Sequence, residues 1–141
     1  MKDQILKPEE NIDVDTSSMD KEENLRIAKK ITDIISDKKG RDIVLIDISA
    51  QSSFADFFVN TTAANYRMLD ALQTEIENQL SPDGITPRST EGKATSGWVL
   101  IDYGDIIVNI FLEEQRNTYQ IEKIWSDSIF IDLEEPNVGE V

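Results

Sequence analysis

The sequence predicts an α/β fold in which a mixed five-stranded sheet is covered by helices, with the element order αββαβββα. Apolar residues recur at helical spacing in several segments, and short runs rich in β-branched residues lie between them. The 141 residues are 39% apolar and 30% charged, with only 4 Pro and 6 Gly, which is typical of one packed domain. This alternation of helical and strand patterns favours helices layered on a sheet.

The first half of the chain predicts one helix and two strands. The helix is expected to begin near Asp20, which has capping-box spacing to Glu23, and to end at Gly40. Residues 43–48 form a nearly continuous β-branched run, as in an interior strand that is buried on both faces. The second strand is expected at the end of the segment 54–59.

The second half begins with another helix, which Thr61 or Thr62 is expected to cap. Its core stripe has helical spacing and comprises Leu69, Leu72, Ile76 and Leu80. A weak strand is predicted over residues 85–89 and restricted to a sheet edge, because Pro87 lacks a backbone donor. A strand hairpin follows, and residues 113–125 are predicted to be helical, in one piece or two, with Tyr119 and Trp125 packing toward the core.

Composition excludes several function classes. The chain has no Cys and no His, which excludes disulfides, thiol nucleophiles, imidazole-dependent hydrolases and the usual zinc sites. With 14 basic and 28 acidic residues its net charge is −14, so a basic protein is a more natural partner than nucleic acid. No apolar run approaches the roughly 20 residues of a membrane helix, and we expect a cytoplasmic protein.

Much of the acidity lies at the two ends of the chain. Residues 1–20 carry two lysines and six acidic residues, and residues 126–141 carry five acidic residues and no cation. We therefore predict an acidic, disordered N-terminal tail over 1–20 and an acidic C-terminal tail over 127–141. A single α/β domain is expected over 21–126.

The predicted hairpin is the most informative segment. A two-residue turn at Tyr103-Gly104 sets three cross-strand pairs, Asp102 with Asp105, Leu100 with Ile107, and Trp98 with Asn109. Because side chains alternate along a strand, these residues share one face with Phe111. The other face is purely aliphatic and is expected to form the core: Val99, Ile101, Ile106, Val108 and Ile110. The mixed face is expected to be exposed or functional.

Two carboxylates opposite each other repel, so Asp102 and Asp105 need an explanation. They are generic turn residues at the tip of the hairpin, or ligands of a divalent cation such as Mg²⁺. A third interpretation makes them acceptors for Lys or Arg of a partner, with Trp98 and Tyr103 as aromatic anchors. The residues alone leave these three interpretations open.

Five features, in this order and spacing, resemble the ribosomal silencing factor family, also called Iojap-like. They are Ala-Asp-Phe-Phe-Val at 55–59, Arg67, Glu91-Gly92, Trp-Val-Leu-Ile-Asp-Tyr-Gly-Asp at 98–105, and the set Arg116, Tyr119, Ile121, Glu122 and Trp125. The resemblance covers residues 22–126. Family members often read His-Val-Phe-His where residues 109–112 read Asn-Ile-Phe-Leu, so the role of those histidines is absent.

The resemblance implies a fold similar to nucleotidyltransferases without their active site, and therefore no catalysis, cofactor or metal. It implies binding to the large ribosomal subunit through the universal large-subunit protein fourteen, which blocks association with the small subunit. Translation is then repressed under nutrient limitation. We expect the mixed face and tip of the hairpin to bind the partner: Trp98, Leu100, Asp102, Tyr103, Asp105, Ile107 and Asn109.

Two alternatives belong to other classes. One is a diverged nucleotidyltransferase-like enzyme that holds a metal with Asp47, Asp102 and Asp105. The other is a homodimeric scaffold that uses the hairpin for self-contact, and a homodimer is also compatible with silencing. Neither a membrane nor direct sequence-specific nucleic-acid binding is expected in any of these cases.

Overall fold

The computed structural model describes the backbone of residues 9–133 and the side chains of residues 20–133. The helices are α1 (Glu9–Asp37), α2 (Tyr66–Leu80), α3 (Glu113–Tyr119) and α4 (Ile121–Ile124). The strands are β1 (Arg41–Asp47), β2 (Phe57–Ala63), β3 (Ser89–Glu91), β4 (Trp98–Asp102), β5 (Ile106–Leu112) and β6 (Ile129–Ile131). None of the helices within residues 9–133 has the length and apolarity that crossing a bilayer requires.

The strands form one mixed sheet in the order β3-β4-β5-β2-β1-β6. Strands β2 and β5 are parallel, and every other neighbouring pair is antiparallel. The α/β class and the mixed sheet are therefore confirmed. The interior position predicted for residues 43–48 is also confirmed, because β1 lies between β2 and β6.

Helices α1 and α2 cover one face of the sheet, which we call the helix-covered face. The predicted stripe of α2 is fully buried there: Leu69, Leu72, Ile76 and Leu80. The aliphatic residues of the hairpin pack into the same cluster: Val99, Ile101, Ile106, Val108 and Ile110. This face holds the main core, as the hairpin pattern predicted.

The opposite face, which we call the open face, carries a smaller cluster. Its buried members are Ile46, Ile48, Ala55, Phe58 and Ile107. Half-buried residues pack around them: Val44, Leu100, Ile121 and Trp125. The short helices α3 and α4 follow β5, and α4 contributes Ile121 to this face.

The predicted N-terminal boundary differs from the structure. Helix α1 begins at Glu9, so residues 9–20 are helical and Asp20 lies within the helix instead of capping it. No Gly or Pro occurs between Pro8 and Gly40, so nothing in the sequence interrupts the helical backbone once it has started. The rest of the predicted N-terminal tail, residues 1–8, lies outside the described residues.

The C-terminal boundary also differs. Residues 129–131 were assigned to the acidic tail, but they form β6 and pair with β1, with Leu45 opposite Ile131. The sheet of the described chain therefore has six strands instead of five. Three consecutive β-formers, Ile129, Phe130 and Ile131, outweigh the acidic residues around them. Residues 134–141 lie outside the described part of the chain.

Three local predictions change as well. Strand β2 continues to Ala63, so the cap of α2 is Asn65, whose Oδ1 accepts a hydrogen bond from Met68 N. Strand β3 forms after Pro87, at Ser89–Glu91, because pairing resumes where backbone donors are available. Gly40 does not take a left-handed conformation. Its missing side chain leaves room for Ile35, whose Cγ2 would lie 2.3 Å from an added Cβ.

Candidate functional site

The β4–β5 hairpin turns one residue later than predicted. Gly104 and Asp105 form the two-residue turn, in which Tyr103 N donates to Ile106 O at 2.9 Å. Gly104 has φ +97°, a conformation that favours glycine. The observed pairs are Trp98 with Phe111, Leu100 with Asn109, and Asp102 with Ile107. The register is shifted by two residues, an even number, so every strand side chain stays on its predicted face.

The two aspartates of the hairpin are therefore not opposite each other, and the predicted repulsion between them is wrong. Asp102 Oδ1 accepts a hydrogen bond from Gly104 N at 2.7 Å, which stabilises the turn. Asp105 is exposed in the turn, and its carbonyl oxygen accepts from Asp56 N at 2.8 Å and Phe57 N at 3.1 Å. In the free chain, Asp102 is therefore a turn-forming residue, as the first of the three interpretations states.

A chain of side-chain hydrogen bonds crosses the open face. Trp98 Nε1 donates to Asn109 Oδ1 at 3.0 Å, and Asn109 Nδ2 donates to Asn60 Oδ1 at 3.0 Å. Asn60 Nδ2 in turn donates to Glu122 Oε2 at 2.9 Å. Both asparagines are fully buried, so these bonds provide the partners that buried amides need. The chain connects the indole of β4 to helix α4.

Arg116 of α3 anchors the far end of this chain. Its Nη2 lies 2.9 Å from Glu122 Oε2, and its Nη1 donates to Asp42 O at 2.7 Å and to Thr62 Oγ1 at 2.9 Å. The planar guanidinium with its several donors can serve all three acceptors at once. We call Trp98, Asn109, Asn60, Glu122 and Arg116 the polar chain. It fixes α3 and α4 against the sheet.

Trp98 also stacks on two aromatic rings. Its ring centroid lies 5.0 Å from that of Phe111 and 4.7 Å from that of Tyr119. Tyr119 had been predicted to lie in the core, but it is 53% exposed and covers one side of the indole. A pocket of about 290 Å³ opens beside these rings, lined by Glu91, Gly92, Ser96, Trp98, Leu100 and Tyr119.

A second aromatic group lies where the open face meets solvent. The ring of Phe58 lies 6.4 Å from that of Phe54 and 5.5 Å from that of Trp125. Phe54 is 57% exposed, whereas Trp125 is half-buried and packs against the smaller cluster, in agreement with the predicted inward packing of this residue. Sequence reasoning missed Phe54, because its segment reads as an ordinary apolar strand until the burial of each residue is known.

Comparison with known proteins identifies the family. A sequence model described as "Ribosomal silencing factor during starvation" matches residues 21–140. The chain belongs to the ribosomal silencing factor family. The resemblance seen in the motifs is thereby confirmed.

Relatives and solved structures agree with this assignment. Ribosomal silencing factor RsfS of Bacillus subtilis is 33% identical over 116 residues, which cover 82% of this chain and 96% of that protein. A crystal structure of a protein from Chromobacterium violaceum superposes with a TM-score of 0.69 at 30% identity, covering 72% of this chain and 85% of the other. The mouse "Mitochondrial assembly of ribosomal large subunit protein 1" is 26% identical, over 72% of this chain and 46% of that protein.

The seven residues predicted to bind a partner occupy different environments in this silencing factor. Trp98, Leu100 and Asp102 are half-buried on the open face, and Asp105 is exposed in the turn. Ile107 and Asn109 lie on the same face but are buried beneath their neighbours. The hairpin pattern could assign the face but could not show which of its side chains are covered.

Tyr103 lies on the other side of the sheet. Its ring packs against the cluster of the helix-covered face, and its buried hydroxyl has no hydrogen-bond partner among the described residues. Burial, and secondarily the carboxylate of Glu77 on α2, raises the pKa of Tyr103 to about 12. Tyr103, expected as an aromatic anchor at the tip of the hairpin, is therefore half-buried on the helix-covered face.

The structure does not bring together the carboxylates of the metal alternative. Asp47 is directed toward α1, where Lys21 Nζ lies 3.0 Å from its Oδ2, and Ser49 donates to its Oδ1. These hydrogen bonds and Lys21 outweigh burial and lower the pKa of Asp47. Asp102 lies on the opposite face, and β5 and β2 separate its strand from β1. Within residues 20–133, no group of three acidic side chains is arranged to hold a metal ion.

Proposed function

We propose that this silencing factor acts in the cytoplasm by binding the large ribosomal subunit and blocking its association with the small subunit. The partner on the subunit is the basic universal large-subunit protein fourteen, and the consequence is repression of translation under nutrient limitation. Membership of a family named for silencing ribosomes during starvation carries this proposal. The family is named for silencing and not for a reaction, and the mouse relative is named for assembly of the large subunit.

The open face around Trp98 is the proposed docking surface. The residues that contribute most to binding at protein interfaces are enriched in aromatic side chains, and two groups of aromatic residues are accessible here. Tyr119 and Phe54 are each more than half exposed. The polar chain holds the indole of Trp98 in one orientation before binding, which lowers the ordering cost of association.

Charge favours a basic protein on this surface. Asp105 is exposed at the turn, Asp102 is half-buried beside it, and Glu91 is exposed at the rim of the 290 Å³ pocket. A Lys or Arg side chain could lay its stem along the rings that line the pocket and place its charge near Glu91. The net charge of −14 would speed encounter with a basic ribosomal protein and would repel rRNA phosphates.

Subunit reassociation tests the proposed function directly. Purified protein added to separated large and small subunits should lower the 70S-type fraction in a sucrose gradient, and it should co-sediment with large subunits alone. An ordinary interface of roughly 800 Å² on each side is enough to hold a blocking protein of this size. Equal binding to both subunits, or unchanged reassociation, would refute the proposal.

Two tyrosines of equal exposure map the surface. Tyr119 lies on the open face and Tyr66 at the start of α2, and each is 53% exposed. Tyr119→Ala should weaken binding to large subunits at least tenfold, since it removes one wall of the pocket, and Tyr66→Ala should leave binding unchanged. Equal effects of the two substitutions would move the interface away from Trp98.

The double variant Asp102→Asn with Asp105→Asn separates charge from turn formation. Asparagine keeps the acceptor that Asp102 offers to Gly104 N, so the turn should be preserved. If the carboxylates face a basic patch, affinity for large subunits should fall by about 2–5 kcal/mol where the charge pairs are buried. Full affinity in a folded double variant would leave Asp102 with its turn-forming role alone.

A further inference from the structure

A large groove lies at the β6 edge of the sheet, away from the pocket beside Trp98. It is a groove of about 890 Å³ between the second half of α1, strand β1 and strand β6. Apolar residues of β1, of β6 and of the segment just after β6 form its floor: Ile43, Leu45, Ile131 and Leu133. Strand β6 is the edge of the sheet, and its Phe130 is 44% exposed beside the groove.

The rim of the groove is acidic on three sides. Asp33 and Asp37 project from α1, Asp42 precedes the buried part of β1, and Asp132 follows β6; all four are exposed. None of the four forms an ion pair with another residue in the range 20–133. No Lys or Arg is present among the described residues that line the groove.

Nearby cations are directed elsewhere. Lys38 Nζ lies 3.8 Å from Glu75 Oε1 on α2, and Arg41 Nη2 lies 3.7 Å from Glu113 Oε1 on α3. The carboxylates of the groove are therefore not neutralised by the basic residues adjacent to them in sequence. An apolar floor within an uncompensated acidic rim is complementary to a segment that is both basic and apolar.

Other occupants fit the groove less well. A metal ion is disfavoured, because no three acidic side chains within residues 20–133 are close enough to hold one. A second copy would bring another acidic rim against the first, at a net charge of −14 per chain. The segment that follows Leu133 carries Glu134, Glu135 and Glu140 and no cation, so the same repulsion applies to it.

We propose that this groove docks an extended segment of a partner protein in which Lys or Arg alternates with aliphatic residues. Its apolar side chains would cover the floor, and its cations would lie against the four aspartates. An extended chain suits the site, because alternating side chains point to opposite sides and an edge strand is already present. The groove shares no lining residue with the pocket beside Trp98, so this docking is distinct from the proposed silencing contact.

A peptide binding experiment on the full chain tests the proposal. The probe is a fluorescent octapeptide of alternating Lys and Val, followed by anisotropy at low and moderate salt. The triple variant Asp33→Asn, Asp42→Asn, Asp132→Asn should weaken binding at least tenfold. Asp42 has φ +51°, which asparagine tolerates, so the fold should survive the substitution. The matched control is Glu22→Gln, Asp70→Asn, Glu114→Gln, which removes three exposed charges elsewhere.

Each outcome decides for or against the groove. Tight binding that only the groove variant loses, with octalysine binding more weakly than the Lys-Val peptide, supports it. Equal losses in the two triple variants would show diffuse attraction to an acidic protein and overturn the proposal, as would equal binding of octalysine. A changed oligomeric state of the groove variant in sedimentation velocity would assign the groove to self-association instead. None of these measurements uses ribosomes, so a negative result here does not affect the outcome of the subunit-reassociation test.

Discussion

The two faces of the sheet are built from different chemistry. The cluster on the helix-covered face contains seventeen buried hydrophobic residues, and the cluster on the open face contains five. The open face also contains the buried amides of Asn60 and Asn109 and the half-buried pair of Arg116 and Glu122. Exposed aromatic rings lie beside the polar chain on the open face. The aliphatic residues on the other side of the hairpin are all buried in the core.

This difference separates stability from recognition. Apolar burial is non-directional and roughly proportional to area, so the helix-covered face, with its larger cluster, contributes more of this stabilisation than the open face. Hydrogen bonds are directional, so the polar chain holds Trp98 and helices α3 and α4 in fixed positions. A face built this way is suited to presenting a preformed surface to a partner.

Truncation on the two faces should give the largest contrast. Leu72→Ala removes a fully buried side chain of α2 and should cost about 2–5 kcal/mol of unfolding free energy, since the surrounding core cannot fill the cavity. Leu100→Ala, at a half-buried position of the open face, should cost clearly less. Urea denaturation of both variants measures the difference. Equal costs would mean that the open face carries as much of the stability as the helix-covered one.

Breaking the polar chain in its middle should have the next largest effect. Asn109→Ala leaves the Asn60 amide and the Trp98 indole N–H without their partner and should cost about 1–3 kcal/mol. Asn117→Ala, at an exposed position of α3, is the control and should change stability very little. If the two alanine variants unfold at the same urea concentration, the amide chain contributes no net stability.

The ion pair at the end of the chain should contribute less. Glu122→Gln keeps an acceptor for Asn60 but removes the negative charge that pairs with Arg116. This substitution should lower the free energy of unfolding by about 1–2 kcal/mol. The exposed pair of Arg41 and Glu113, at 3.7 Å, provides the matched comparison, and Glu113→Gln should cost about 0.5 kcal/mol or less. Equal costs for the two variants, measured at the same salt concentration, would contradict the partial burial of the Arg116 pair.

The smallest effect is expected at Tyr103, whose hydroxyl is buried on the helix-covered face without a hydrogen-bond partner among the described residues. Tyr103→Phe removes a buried hydroxyl that has no partner and should be neutral or stabilising by about 1 kcal/mol. The pKa of Tyr103 is about 12 in the folded chain and has its ordinary value of 10.0 in the unfolded chain, so the unfolded chain loses its proton first. The wild-type protein should therefore lose stability as pH rises from 10 to 12, and the variant should lose less. If the free energy of unfolding falls equally with pH in the wild type and the variant, the hydroxyl of Tyr103 is exposed to solvent in the folded chain.

The hairpin shows how far sequence reasoning could go. The alternation of its residues correctly divided core from open face, because side-chain alternation is a local property of a strand. The turn was placed one residue too early, and the supposed repulsion between Asp102 and Asp105 followed from that register. A turn is decided by which backbone groups bond, here Tyr103 N with Ile106 O, and Tyr-Gly and Gly-Asp are both plausible turn dipeptides.

Other misses have the same origin in contacts between distant residues. Asn60 gave no signal beyond being polar in an apolar strand, and its partners lie 49 and 62 residues away in sequence. The sequence predicts an acidic tail where β6 forms, because three apolar residues form a strand only if another strand is free to pair with them. The sequence does not show that the edge of β1 is free. The start of α1 was missed because capping spacing also occurs inside helices.

The sequence by itself determined the α/β class, the core stripe of α2, the division of the hairpin faces and the family. Each of these depends on spacing along the chain or on ordered motifs, which need no knowledge of what lies nearby in space. Only the tertiary structure decided the hairpin register, the polar chain through Asn60 and Asn109, the placement of β6 on β1 and the acidic groove beside it. These features arise when backbone and side-chain groups far apart in sequence compete for the same partners, and that competition is resolved only in the folded chain.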